Sequence, residues 1–202
     1  MEESKRGLLP MRHGISLSNE MCPTTPQERE RMSILYASAI GSIMYAIICT
    51  QPDLSYALSM TSRYQANPGE GHWTAVKNIL KYLRRTKDVF LVYGGKEELG
   101  IKGYADASFQ TDKDDSRLQS GFVFYLNGGA VSWKSLKQDT VVDSTTEAEY
   151  IAASEAAKEA VWIKKFISEL GVVPSISDVV ELYCDNNKAI ASLDEASGTA
   201  EA

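Results

Sequence analysis

From residue 28 to 48 apolar side chains recur at helical intervals behind a charged first turn, and the pattern breaks at Thr50-Gln51-Pro52. This predicts a long helix. Its stretch from Ile34 to Cys49 is uncharged, yet it falls short of the roughly 20 residues that span a bilayer and contains Ser38, Gly41 and Ser42. A buried core helix is therefore expected, and no membrane span. Pro52 suits the first turn of a second helix, where Leu54, Ala57, Leu58 and Thr61 repeat at three and four residues until Asn67-Pro68-Gly69. A third helix, about residues 71–87, places Trp73, Val76, Ile79, Leu80 and Leu83 on one face and Lys77, Lys81, Arg84 and Arg85 on the other. Residues 1–27 carry Pro10, Gly14, Pro23 and Pro26 with no sustained apolar period, which predicts an extended or loosely packed lead segment.

Beyond this the period changes from helical to alternating. Residues 89–93 and 101–106 read as strands, with a domain boundary near Gly94-Gly95. Residues 121–126 and 130–133 flank Asn127-Gly128-Gly129, a run suited to positive φ, and read as an antiparallel hairpin. Ser144-Thr145-Thr146-Glu147 has capping-box spacing and opens the longest helix. Its apolar stripe runs through Ala148, Ala152, Ala156, Ala160, Ile163, Ile167 and Leu170 to a stop at Gly171. Residues 179–184 read as a buried strand and 186–193 as a short helix. From the boundary onward the order β-β-β-α-β-α predicts an α/β sheet with a parallel crossover. The chain thus divides into a lead segment (1–27), a helical segment (28–94), an α/β domain (95–193) and a polar tail (194–202).

Two predicted strands end in aspartate, at Tyr104-Ala105-Asp106 and Tyr183-Cys184-Asp185. If the helix between them makes these strands parallel neighbours, both carboxylates emerge at one sheet edge, where open α/β sheets place their sites. Glu149, in the first two turns of that helix, is placed to join them. Grouped carboxylates repel one another, and a hard divalent cation with oxygen ligands relieves this. A magnesium pair held there suits in-line displacement at a phosphodiester. Blander readings stand beside this one: a strand-end aspartate is a common turn former, Asp185-Asn186 is placed to cap the last helix, and Glu149 alone is an ordinary helix residue.

Composition narrows the setting. A chain of 202 residues, 44% hydrophobic, supports one core or two small ones, and its 14 glycines and 6 prolines are ordinary. The net charge of −6 argues against bulk electrostatic grip on nucleic acid, so any such contact is local. Cys22, Cys49 and Cys184 are far apart and odd in number, which fits neither a zinc site nor a disulfide framework; they read as reduced and packed. No apolar run follows the charged first residues, so an intracellular chain is expected.

Tyr-Ala-Asp-Ala-Ser-Phe at 104–109, Ser-Thr-Thr-Glu-Ala-Glu-Tyr at 144–150 and Tyr-Cys-Asp-Asn at 183–186 together resemble the ribonuclease H domain of copia-type retrotransposon polyproteins, especially plant members. Ser120-Gly121-Phe122-Val123 and Val131-Ser132-Trp133-Lys134 fit the same pattern. Upstream, Tyr36-Ala37-Ser38-Ala39-Ile40-Gly41-Ser42 and Pro52-Asp53-Leu54-Ser55-Tyr56-Ala57 resemble the helical segment that joins reverse transcriptase to that domain. The resemblance implies a ribonuclease H-like mixed sheet preceded by a helical connection segment. It implies that Asp106, Glu149 and Asp185 bind Mg2+ (or Mn2+) and cut the RNA of an RNA–DNA hybrid, with Glu147 as the capping-box partner. Lys77, Lys81, Arg84 and Arg85 become candidates for hybrid-backbone contact, against the reading of a solvated helix face.

The family pattern continues into a final strand, a helix and a fourth carboxylate, whereas after Leu193 this chain runs through Asp194-Glu195 to Ala202. A C-terminally truncated sheet with weak or absent nuclease activity is the expectation. Similar fragments also occur in a secreted RxLR-type oomycete effector class, delivered into host cells to dampen defence and cell death. That resemblance implies secretion and a host-cell protein partner, although no Arg-x-Leu-Arg string occurs in the chain.

Overall fold

The computed structural model describes residues 7–12, 14–94, 100–108, 112–115, 117–171 and 180–191. The chain falls into two compact units, one of residues 1–90 with 112–115, the other of 91–111 with 116–202.

The first unit is helical. Helix α1 (Pro26–Thr50) starts with proline in its first turn, where a missing amide hydrogen costs nothing. A single-turn 3-10 helix (Pro52–Leu54) leads into α2 (Ser55–Ser62), and α3 (Glu70–Arg85) follows. The three α-helices pack on one another. From α1 the buried side chains are Tyr36, Ile40, Ile43 and Ile47, spaced by three and four. Tyr36 brings its hydroxyl into this core and donates to the Thr61 carbonyl at 2.7 Å, so the buried polar group is satisfied.

The expected burial of α1 as a core helix is only half realised. Ile34, Leu35, Met44, Tyr45 and Ile48 face outward. By length and composition α1 is apolar enough to cross a membrane, but its buried stripe is that of a bundle helix. The sequence is apolar on nearly all sides of this helix, and α2 and α3 cover one side.

The lead segment is more firmly placed than its composition predicts. Leu17 is buried against Tyr64 and Ala75, with Met11, Ile15 and Cys22 around it, and a 3-10 turn forms at Asn19–Met21. His72 is fully buried beneath it. The ring stacks on Tyr64 with centroids 4.0 Å apart; Nδ1 accepts from the Gly69 amide at 3.0 Å, and Nε2 lies 3.1 Å from the Ser18 carbonyl. Only the neutral Nε2–H tautomer serves both contacts. Burial accordingly holds the His72 pKa below its ordinary value, partly offset by Ser18 and Asp114. A depressed histidine pKa means that the unfolded chain takes up the proton first. The stabilisation is complete above about pH 6.5, the unfolded value, and is lost as pH falls toward the folded one. The thermal midpoint is expected to drop as pH falls below about 6.5, and His72→Gln, less stable at every pH, to lack that slope.

The second unit is a mixed α/β layer pair. Strands β1 (Ile101–Ser108), β2 (Gln119–Leu126) and β3 (Gly129–Lys137) form an antiparallel meander. Helix α4 (Thr145–Leu170) then crosses over to β4 (Glu181–Tyr183), which pairs in parallel with β1. The sheet order is β3-β2-β1-β4. Asn127 (φ 50°) and Gly128 (φ 81°) make the hairpin turn in the left-handed region that the Asn-Gly pair tolerates. Ile101, Ala105 and Phe124 on the sheet pack against Ala156, Ala160, Ile163 and Ile167 of α4. The alanines let helix and sheet approach closely. Gly103 has the same function across the ladder: a Cβ there would lie 2.3 Å from the fully buried Phe124 ring.

Three sequence expectations need correction. Residues 89–93 form no strand; Val89, Phe90, Val92 and Tyr93 are exposed. In the second unit, Tyr93 donates to the Ala130 carbonyl and Gly94 to the Asn127 carbonyl, isolated contacts at a hairpin tip rather than a ladder. The strand expected over 179–184 is realised as three residues of alternating exposure at the sheet edge among the described residues, not as a buried strand; Val179 lies outside those residues. All three cysteines are free as expected, but Cys49 is exposed rather than packed. The helix expected over 186–193 is described at residues 187–191. The tail 194–202 lies outside the described residues.

Candidate metal centre

The start of α4 is set by local chemistry. Ser144 is extended (φ −144°, ψ 153°) and its hydroxyl accepts the Glu147 amide at 3.2 Å. Glu147 does not return to the Ser144 amide as in a reciprocal capping box. Its carboxylate accepts from the Asp143 amide, one residue earlier, at 3.3 Å. With Glu147 so engaged, Glu149 is the carboxylate that turns toward the sheet, only 7% exposed among Ala148, Ala152 and Ala153. Its Oε1 accepts from the Ala107 amide at 3.3 Å, which ties it to the residue after Asp106.

The parallel ladder supplies the other two carboxylates. Tyr104 pairs with Tyr183, so Asp106 and Asp185 occupy equivalent positions two residues further along each chain. Asp106 is exposed within β1, paired with Gly121, and is not a turn residue. Asp185 is exposed just beyond β4. It does not cap the last helix. Asn186 does, its Oδ1 accepting from the amides of Lys188 (3.0 Å) and Ala189 (3.2 Å). The ordinary role proposed for Asp185-Asn186 is thereby taken by one residue of the pair.

Burial raises the Glu149 pKa above the usual carboxylate value, and the charges of Asp106 and Asp185 add to the rise; the Ala107 amide and the Cys184 thiol oppose it. Among the described residues no basic side chain pairs with Glu149. A nearly buried carboxylate, pressed by two others and lacking a cationic partner, is an arrangement that a divalent cation completes.

The sequence reading missed one member of the cluster. Ligand atoms of Glu149, Cys184 and Asp185 all lie within 4.8 Å of one another, and the Cys184 thiol donates to Glu149 Oε2 at 3.8 Å. Asp106 is outside this closest set, although its charge reaches Glu149. The signal was present in Tyr-Cys-Asp-Asn, but strand alternation sends residues 184 and 185 to opposite faces. β4 ends at Tyr183, and the bend at Asp185 lets both side chains converge.

The basic residues of α3 are not part of this cluster. Lys77 and Arg85 are exposed, Lys81 and Arg84 half-buried, and all four belong to the first unit whereas the carboxylates belong to the second. The Lys81 carbonyl accepts from the Gly7 amide at 3.1 Å.

Over 191 residues, 94% of its length, the chain is 45% identical to the retrovirus-related Pol polyprotein from transposon TNT 1-94 of Nicotiana tabacum. The chain belongs to the copia-type retrotransposon Pol family. It is 40% identical over 153 residues to the Pol polyprotein from transposon RE2 of Arabidopsis thaliana. It spans 14% of the tobacco polyprotein and 10% of the Arabidopsis one, so it corresponds to a small part of each. It is also 44% identical over 131 residues to secreted RxLR effector protein 161 of Plasmopara viticola, covering 65% of this chain and 92% of that one. No protein-family model and no solved structure matches the chain.

Proposed function

We propose that the second unit is a ribonuclease H-like domain of copia-type Pol, with Asp106, Glu149 and Asp185 as its divalent-cation ligands and the RNA strand of an RNA–DNA hybrid as its substrate. The observation that carries this reading is the convergence of buried Glu149 with the parallel β1–β4 edge that bears the two aspartates. The antiparallel meander, crossover helix and parallel fourth strand support it, as does the family membership.

The donors are hard oxygens and fit magnesium or manganese. Bound there, such ions supply water activation and charge neutralisation at the scissile phosphodiester. The Ala107 amide bonds Glu149, and Asp106 and Asp185 each follow the Tyr104–Tyr183 pair of the parallel ladder by two residues.

The test is a labelled hybrid with magnesium or manganese, run beside manganese binding followed by electron paramagnetic resonance. Asp106→Asn is expected to lower cleavage at least about 100-fold and to weaken manganese binding. Cleavage that persists in the variant, or a parent chain that neither cleaves nor binds manganese, would overturn the reading.

A second reading rests on the likeness to nearly the whole of a secreted RxLR effector. In it the fragment is reused inside plant cells and acts on a host protein. Co-expression in plant cells with a death-inducing protein decides between outcomes: delayed death supports this use, and unchanged death rejects it.

A further inference from the structure

Magnesium sites are built of oxygen, and a thiol contributes nothing to them. Here a sulfur atom stands among the ligand atoms, 3.8 Å from one carboxylate oxygen and within 4.8 Å of both carboxylates. Three features place it there. Cys184 follows Leu182 on the α4 side of β4, where Leu182 packs against the α4–sheet core. The bend after the strand brings Asp185 back to the same point. Glu149, 93% shielded by its 7% exposure and without a basic partner among the described residues, faces the sulfur from α4.

We propose that this centre has a second mode, in which a thiophilic dication such as zinc or cadmium binds through Cys184 Sγ together with Glu149 and Asp185 and displaces the oxygen-bound metal. The inference rests on Glu149 and Asp185 being metal ligands, as in the proposed function. Zinc accepts both cysteine sulfur and carboxylate oxygen, and three protein ligands leave its fourth tetrahedral position for water. Soft thiolate selects zinc or cadmium over magnesium, while the two carboxylates are common to both modes. Binding releases the thiol proton to solvent, so the charge balances. Asp106, outside the set, is not required. Zinc and cadmium thus act as inhibitors that occupy the site.

The experiment uses the full chain carrying Cys22→Ser and Cys49→Ser, so that Cys184 is the single thiol. Cadmium is titrated while thiolate-to-cadmium charge-transfer absorption is recorded, and bound manganese is followed by paramagnetic resonance in the same samples. One equivalent of cadmium is expected to raise the absorption band and release manganese. Adding Cys184→Ser is expected to abolish the band and lower the cadmium-to-manganese affinity ratio at least about tenfold. Glu149→Gln or Asp185→Asn is expected to weaken cadmium binding with the band still present at saturation. Manganese bound normally with no cadmium band overturns the second mode while leaving the oxygen site standing. Neither metal bound overturns both. A band of full affinity in Glu149→Gln and Asp185→Asn identifies a lone thiol and also overturns the proposal.

Discussion

Replacing Arg63 with methionine is expected to lower the unfolding free energy by about 3–5 kcal/mol, the usual cost of stripping one partner from a buried ion pair. Arg63 donates to Asp112 at 2.5 Å, and the side chains are only 13% and 1% exposed. Asp112 is also a hub for its neighbours. Its second oxygen accepts the Asp114 amide at 2.9 Å. Asp114 in turn accepts from the Asn19 amide at 2.9 and 3.1 Å and from the Tyr64 hydroxyl at 3.1 Å. These contacts and burial together push the Tyr64 pKa upward, burial most of all. Without the guanidinium, Asp112 must either stay charged in a place that water barely reaches or draw the segment 112–115 away from the helices. The double change Arg63→Met, Asp112→Leu removes both charges and is expected to recover much of the loss. Urea midpoints at unchanged slope would measure this. A loss below about 1 kcal/mol for Arg63→Met would show that the pair behaves as a surface bridge.

Glu149→Gln is expected to move two quantities in opposite directions. Affinity for manganese should fall at least about 100-fold, because the most central ligand loses its charge. The thermal midpoint of the metal-free chain should rise. Burial and the charges of Asp106 and Asp185 make ionised Glu149 unfavourable in the folded state, and a neutral amide of similar shape removes that penalty. A side chain retained for packing alone would show no loss of metal affinity, and one stabilised mainly by the Ala107 amide would lower the midpoint when replaced. Calorimetry with a chelator, set beside metal titration, separates these cases.

Local chemistry made much of the second unit legible. Ser144 begins α4, Gly171 at φ 65° ends it, and Asn127-Gly128 turns the hairpin, each through conformations that its own side chain favours. Strand-end position and helix phase mark the three carboxylates as candidates. What escaped depended on distant partners. The alternation at residues 89–93 shows only that a strand is affordable, and among the described residues no ladder forms on it. No local signal marks His72 as buried; its burial follows from Leu17 and Ser18 folding back over that helix. The apolar outer face of α1 defeated the assumption that apolar means covered. Cys184 was missed because strand periodicity was carried one residue past the end of the strand.

Among the described residues β4 is joined to β1 through three registered pairs, Lys102 with Glu181, Gly103 with Leu182 and Tyr104 with Tyr183. β1, by contrast, is paired with β2 along all eight of its residues. Short ladders at an edge open at low free-energy cost, well before the global transition. The candidate centre is consequently assembled from unequal halves. Asp106 and Glu149 ride on the longer-paired part of the unit, while Cys184 and Asp185 sit just past the end of the shorter ladder. A cation held by both halves would bind only the closed form and so act as a clasp, lowering the open population as it saturates the site. Occupancy of the centre and the lifetime of β4 in the sheet become one equilibrium seen from two sides.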